Sequence, residues 1–562
     1  MGIALDTLIL ATGWAYVLLA PYTKIEETFN LHATHDVLMY GLVPSNIRNY
    51  DHIIFPGPVP RTCIGSIILA WISSPIIHLA TSFGFVSSKF DLQVIVRLVL
   101  STLNAIGLCL IRRAAQKRFG RLTGFLYAIL TVSQFHIPFW MGRTLPNMFA
   151  LLPVNIAYYL ILDRAPHVTR PPPFRVDVAI WLLTASTVIF RSELLLLLSP
   201  LVLQWMWQGY ISLWGAFKTG LLAGLASIGE IFRSGDSVER ILNSRIALTT
   251  IIDSYLWGTF PTPLWPEFTS FVFNVVEGKS SDWGVSPFHT YVSTFVPKML
   301  LSCLPLSLLG SLVDRRVRGF LIPYATFVLL ISGLPHKEWR FIVYIVPPVN
   351  VVAARGAMWL LSRPRSNLLG RFAFGMTAAM ILANVVISML LATASITNYP
   401  GGEAMAVFND KYPPVVGGRA PHISNLAVET GASLFLQEHA PPFNPSSLPN
   451  PESSWTKYDK TEHLTVSALT SRLEYTHLIS EESPIDMEML GGRKHWKEVA
   501  RVDGFDGWSF DWGLLKDLTG GGMENLNVTG DEEKTDLMKK LRGMFRIRKS
   551  GKLWIYERKQ VS

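Results

Sequence analysis

The sequence predicts a polytopic α-helical membrane protein with a C-terminal soluble α/β domain, and three observations carry that prediction. Of its 562 residues 49% are hydrophobic and only 16% charged, against about a quarter charged in an ordinary soluble domain. Apolar runs long enough to cross the hydrocarbon core, about 20 residues as a helix, recur through the first two thirds of the chain. From Thr397 onward that pattern stops, and no later stretch is long enough to span.

The first run, MGIALDTLILATGWAYVLLAP (1–21), has no basic leading stretch, carries Asp6 and lacks a small-x-small cleavage site. It is expected to be a transmembrane helix that stays attached rather than a signal peptide. Further runs begin near residues 62, 92, 122, 147, 176, 194, 210, 288, 319, 341 and 372, which together predict about 10–13 crossings. They divide the chain into a transmembrane domain over 1–396 and a soluble domain over 397–562. Two long polar segments, 21–61 and about 229–287, interrupt the apolar series. In the soluble part, LTVSAL (464–469) and KLWIYER (552–558) are expected strands. The tracts at 441–451 and 519–536 are expected loops.

The net charge of +9 does not point to nucleic acid. The basic residues fall in short clusters between apolar runs, at 112–121, 315–318 and 363–371, as cytoplasmic loops do under the positive-inside rule. With 314–318 and 363–371 cytoplasmic, HKEWR (336–340), the 229–287 segment and the C-terminal domain all lie on the opposite face. The N-terminal half fits less simply. Two full crossings between 62 and 112 would place 112–121 on the non-cytoplasmic face, unless one run is re-entrant. The three cysteines have no metal or disulfide spacing, and no phosphate-binding glycine loop is present.

Polar residues concentrate at a few places. Lys24, Glu26 and Glu27 sit directly after the first apolar run, where ionised groups are either a snorkelling anchor or a site. His35 and Asp36, then Asp51, His52 and Arg61 around the rigid PGPVP turn, supply further polar groups. Arg143 opens RTLPN (143–147), and FRSE (190–193) puts Arg191 and Glu193 between two apolar runs. In 253–291, Trp257, Trp265 and Trp283 offer flat faces suited to sugar rings or to a membrane interface, and Asp253 and Glu267 offer hydrogen bonds. His336, Lys337 and Arg340 suit a lipid phosphate, which arginine can bind in bidentate fashion.

Together KIEETFN-x-x-ATHD (24–36), YDHIIFPGPVPRT (50–62), RTLPN, DS-x-x-W-x6-LWPE (253–267) with SSDWG (280–284), and HKEWRF (336–341) resemble the dolichyl-phosphate-mannose-dependent mannosyltransferases. The first two stretches are most similar to the branch that adds an α-1,6-linked eighth mannose to the lipid-linked N-glycan precursor. The resemblance covers about residues 14–400. It implies a type-C glycosyltransferase fold in the endoplasmic reticulum membrane, with luminal loops 21–61 and about 229–287, a luminal site and an inverting transfer. The donor would be dolichyl-phosphate-mannose and the acceptor a dolichyl-diphosphate-linked heptamannosyl oligosaccharide, with membrane lipids as the other partners.

The family places an acidic pair, usually Asp-Glu, in the first luminal loop. Here it is Glu26-Glu27, one methylene longer at the first position, so either carboxylate could serve; Glu26 is assigned as base and Glu27 as its supporting neighbour. His336, Lys337 and Arg340 become the candidate phosphate clamp, with Arg143 and Arg191 as helpers. His35, Asp36, Asp51, His52, Asp253, Trp257, Trp265, Glu267 and Trp283 are candidate acceptor contacts. No cofactor and no metal are expected, since cationic side chains can neutralise the leaving phosphate. The alternatives are a mannosyltransferase of glycosylphosphatidylinositol-anchor assembly and, in a different class, a lipid transporter or scramblase. The latter predicts a two-fold internal repeat, which the sequence lacks.

Overall fold

The computed structural model describes residues 2–228, 249–364, 366–415, 418–441, 455–510 and 545–559. The start of the 229–287 segment, most of the 441–451 tract and all of the 519–536 tract lie outside the described residues. The chain divides into two compact units. One comprises residues 1–21 and 26–390, the other residues 22–25 and 391–562.

The first unit is a helical bundle whose elements follow the apolar runs. Its helices are α1 (Gly2–Leu19), α2 (Ile25–Tyr40), α3 (Ile64–Ser82), α4 (Lys89–Phe119), α5 (Arg121–Ser133), α6 (Pro146–Leu162), α7 (Pro173–Ile189), α8 (Leu195–Trp207) and α9 (Leu213–Ile228). They continue with α10 (Thr249–Leu256), α11 (Pro266–Phe271), α12 (Cys303–Val313), α13 (Leu321–Ile331), α14 (Val346–Leu361) and α15 (Leu368–Ile396). Among the described residues five helices are long and apolar enough to cross a membrane, or six if the bent pair Tyr291–Leu300 and Cys303–Val313 is one span. Four shorter apolar helices accompany them. Each expected run start falls within about four residues of a helix start, because a chain in lipid must satisfy its backbone internally and the helix is the local way to do so.

Helix ends and crossings have local causes. Ser88 and Asp91 form a capping box at the start of α4. That helix stops at Gly120, whose φ of 100° suits glycine. Pro146 opens α6 at a position where its missing N–H costs nothing. Helices α12 and α14 cross closely because Gly310 and Gly356 face each other. A Cβ at Gly310 would run into the Val352 carbonyl, and one at Gly356 into that of Leu306. Buried amides join elements across the core: Gln134 Nε2 donates to Asn350 Oδ1 (3.2 Å) and Asn350 Nδ2 donates back to Gln134 Oε1 (2.8 Å).

Helix α3 resolves the difficulty in the N-terminal half. Its first turn is tied to α2, where Ser66 Oγ donates to the Asn30 carbonyl (3.0 Å). After Ser82 a closed turn runs through Phe85, and α4 begins at Lys89, whose charge acts on His35 of α2. Nineteen helical residues are about 28 Å long, and the seven steps from Ser82 to Lys89 reach about 24 Å at full stretch, less with that turn. Both ends of α3 therefore belong to one side of the bundle, and α3 does not carry the chain across it. Helix α4 does: near its start Gln93 donates to the Pro21 carbonyl (2.7 Å). At its far end Arg112 and Arg113 pair with Asp6 at the beginning of α1 (2.6 and 2.7 Å). The basic stretch 112–121 thus joins Arg315 and Arg316, which line the same cavity as Arg118, on the face away from Glu26.

The second unit contains α16 (Pro400–Lys411) and a four-stranded sheet of order β1-β2-β4-β3. Its strands are β1 (Pro421–Ile423), β2 (His477–Ser480), β3 (Trp496–Phe510) and β4 (Phe545–Arg558). Strands β1 and β2 are parallel and the other pairs antiparallel. The expected strand at 552–558 lies within β4. The expected strand at 464–469 is instead a short helix, Val466–Ser471. Thr465 caps it by accepting from the Ala468 N–H, and Val466 and Leu469, three apart, both enter the core.

Candidate functional site

The acid pair opens α2. Successive helical side chains point about 100° apart, and here that turn leaves Glu26 exposed and Glu27 fully buried. Glu27 Oε1 accepts from Arg143 Nη1 at 2.7 Å, with both side chains 0% exposed. The Arg143 guanidinium stacks over Phe139, 4.2 Å from the ring centre. Thr144 Oγ1 donates to the Glu27 carbonyl (3.0 Å), and Asn30 Nδ2 donates to the Thr144 carbonyl (3.0 Å). The strand of chain before α6 therefore clamps the first turn of α2 in place.

The same RTLPN stretch reaches a second cluster. Asn147 Nδ2 donates to Glu193 Oε1 (3.0 Å) and to the Tyr344 hydroxyl (3.1 Å). Glu193 in turn accepts from Arg191 Nε at 2.7 Å. The guanidiniums of Arg191 and Arg340 both lie over the Phe341 ring, at 5.1 and 5.8 Å. Arg61 belongs with them: burial, Arg191 and Arg340 together push it down to about 10. Glu338 binds Arg340 (2.6 Å) and His336 Nε2 (2.9 Å). Burial alone would raise Glu338, but Arg340 and His336 carry it below its ordinary value. Glu267 accepts from the Ser192 N–H (2.9 Å), and burial pushes its carboxyl up to about 7 against the pull of Arg191. Three arginines and three carboxylates thus share one region that an anionic group could enter.

Two of the expected phosphate ligands are placed otherwise. Arg143 is enclosed with Glu27, as described. Lys337 is buried, and its ammonium donates to the carbonyls of Ser286 (3.0 Å) and Leu334 (2.6 Å), stitching two loops together. Both cations are consumed by the fold because a buried charge needs a partner. His336, Arg340 and Arg191 remain partly exposed.

The expected acceptor contacts also divide. Burial holds His35 well below its usual range; the neutral ring meets Asp36 Oδ1 at 2.8 Å, and Asp36 Oδ2 accepts from the Asp51 N–H (2.7 Å). Asp51 itself binds His32 Nδ1 (2.8 Å). These residues fasten the 41–55 loop onto α2. Asp253 is buried, accepting from the Cys63 N–H and the Thr249 hydroxyl (2.8 Å each), and burial pushes it up to about 7. His52 is buried too, with Nε2 on the Leu256 carbonyl (3.0 Å). His35, Asp36, His52 and Asp253 are therefore buried and hydrogen-bonded within the fold. Trp257 stacks on Phe29 (5.9 Å, 9°) and donates its indole N–H to the Arg61 carbonyl (2.9 Å). Trp265 donates to the Val188 carbonyl (2.9 Å) and stacks on Phe268. Trp283 is exposed. Asn147 and Glu338 received no role from the sequence, though each lies within four residues of a predicted site residue; Arg61 and Glu193 were marked only as polar groups, Glu193 as a charged pair with Arg191 between two apolar runs. Among the described residues no three His, Cys, Asp or Glu side chains gather as a metal-binding group.

The Alg9-like mannosyltransferase family model matches residues 5–411, a stretch containing every residue of this site. The chain belongs to that family. This mannosyltransferase is 34% identical over 483 residues to the Dol-P-Man:Man(7)GlcNAc(2)-PP-Dol alpha-1,6-mannosyltransferase of Arabidopsis thaliana, covering 86% of this chain and 87% of the relative. It is 30% identical over 487 residues to the protein of the same name from Saccharomyces cerevisiae, covering 82% and 80%. In three dimensions the mannosyltransferase resembles ArnT from Cupriavidus metallidurans, solved bound to undecaprenyl phosphate. The TM-score is 0.53 at 11% identity, over 89% of this chain and 96% of that one. The fold is that of the type-C glycosyltransferases.

Proposed function

We propose that this mannosyltransferase moves mannose from dolichyl-phosphate-mannose to Man(7)GlcNAc(2)-PP-dolichol in α-1,6 linkage, inverting the anomeric configuration. Two relatives that match more than four fifths of this chain carry that activity in their names. The observation that carries the mechanism is the division of the acid pair into one presented carboxylate, Glu26, and one locked carboxylate, Glu27.

In the transfer the acceptor's 6-hydroxyl oxygen attacks the anomeric carbon and its proton passes to Glu26. The bond from that carbon to the phosphate oxygen breaks, and dolichyl phosphate leaves as an anion. Arg191, Arg340 and Arg61, with His336, neutralise it, so the leaving group needs no proton. Glu27 holds α2 on Arg143 and keeps Glu26 in register. Trp257, Trp265 and Trp283 offer faces to the acceptor sugars. The membrane is that of the endoplasmic reticulum and Glu26 faces its lumen, because the basic clusters gather on the other side of the bundle, as cytoplasmic loops do. Helix α15 is 29 residues long, enough for a crossing, which supports reading 397–562 as luminal.

The test is mannose transfer by purified protein from dolichyl-phosphate-mannose to the lipid-linked heptamannosyl acceptor. Glu26→Gln is expected to lose about a hundredfold or more with its unfolding temperature unchanged. Glu27→Gln is expected to lose activity together with stability. Full transfer by Glu26→Gln would remove it as base, and transfer by the wild type only to a different mannoside would move the function elsewhere in the family.

A further inference from the structure

On the face of the bundle away from Glu26 lies a cavity of about 410 Å³. The ends of α4, α6 and α8 and the turn between α12 and α13 enclose it. Four arginines line it: Arg118, Arg164, Arg315 and Arg316. Among the described residues no carboxylate does. The two acids adjoining in sequence are already spent. Asp163 pairs with Lys117 and Arg175 (2.9 and 3.0 Å), and Asp314 with Arg316 and Arg355 (2.9 and 2.7 Å).

Arg164 is only 5% exposed. Its Nη1 donates to the Thr169 carbonyl (2.7 Å) and the Tyr210 hydroxyl (3.0 Å), while its Nε finds no acceptor among the described residues. Arg118 lies over the Phe320 ring at 5.3 Å, and its buried Nη1 likewise finds none. A guanidinium buried with an unused N–H is costly until an acceptor completes it, and with no carboxylate among the described residues of this lining an anionic group is the acceptor that also matches the charge. The remaining wall, including Ile161, Leu201, Trp205 and Tyr324, is apolar or aromatic. A cationic rim over an apolar floor fits an amphiphile whose head carries the charge.

We propose that this cavity binds the phosphate headgroup of an anionic membrane lipid on the face opposite the transfer site. The phosphate oxygens accept from Arg118 and Arg164, with Arg315 at the exposed mouth, and the first acyl or glycerol carbons lie against Trp205 and Tyr324. The site is separate from the donor phosphate region around Arg191 and Arg340 and does not depend on the assignment of Glu26.

The test reconstitutes the full chain in nanodiscs of phosphatidylcholine alone and of phosphatidylcholine with phosphatidylinositol, and reads the unfolding temperature and the lipids retained in native mass spectrometry. The wild type is expected to retain phosphatidylinositol and to unfold about 2–4 °C higher in its presence. Arg118→Gln with Arg315→Gln is expected to lose both effects while keeping transfer activity in phosphatidylcholine, and Arg363→Gln, which lies outside the cavity, to keep them. Inorganic phosphate reproducing the full shift in phosphatidylcholine nanodiscs would overturn the lipid as ligand. Equal retention by the wild type and the double variant would overturn the site.

Discussion

Arg143 and Glu27 form an ion pair with no solvent on either side, and such pairs are held by mutual dependence. Removing one partner strands the other, at a cost of about 3–5 kcal/mol. Arg143→Gln is therefore expected to lower the unfolding free energy by that amount. Combining it with Glu27→Gln should recover part of the loss, a double-mutant cycle checked by denaturation in detergent. Asp253 gives a residue-level expectation in pH. Burial raises its carboxyl from the usual 3.8 to about 7, so the folded chain keeps a proton that the unfolded chain releases. Stability from that proton is complete below about pH 4 and is lost as pH rises through about 7. The unfolding temperature should fall between about pH 4 and 7. Asp253→Asn, which keeps a carbonyl for the Cys63 N–H and the Thr249 hydroxyl, should flatten the fall; an unaltered slope would transfer the effect to Glu267.

Among the elements, the crossing of α12 and α14 is the most sensitive to a single atom. Gly310→Ala puts a methyl group against the Val352 carbonyl, backbone that cannot rotate away. The helices must part, with an expected loss of about 1–3 kcal/mol measurable by thermal unfolding, whereas Gly375→Ala meets nothing within contact range and should be neutral. The helices themselves were legible in the sequence because lipid forces long apolar runs into one conformation. The short elements were not. LTVSAL alternates like a strand, yet a threonine cap and a three-residue spacing make it a helix. Likewise α3 passes every test of length and composition for a crossing, and only the short link from Ser82 to Lys89 shows that it returns to the side it left. Within the candidate site, the motifs marked stretches that the fold brings together, but residue type could not say which cation was buried. Arg143 and Lys337 look no different in sequence from Arg191 and Arg340. Their fates depend on packing by distant segments, Glu27 in one case and Ser286 in the other.

At the scale of the whole bundle, the two faces have opposite charge designs. The far face gathers arginines with few acids, whereas around Arg61, Arg191 and Arg340 each arginine has a glutamate within electrostatic reach, in Glu193, Glu267 and Glu338. That second arrangement bears on turnover. A bare cluster of three guanidiniums would hold the spent lipid phosphate tightly and slow the next cycle. Here the glutamates are resident competitors: an arriving phosphate exchanges with them, and when it departs they take the arginines back. The affinity for the donor is thereby set by a difference between two anions of similar strength, which lets an enzyme grip a charged product during transfer and still let it go.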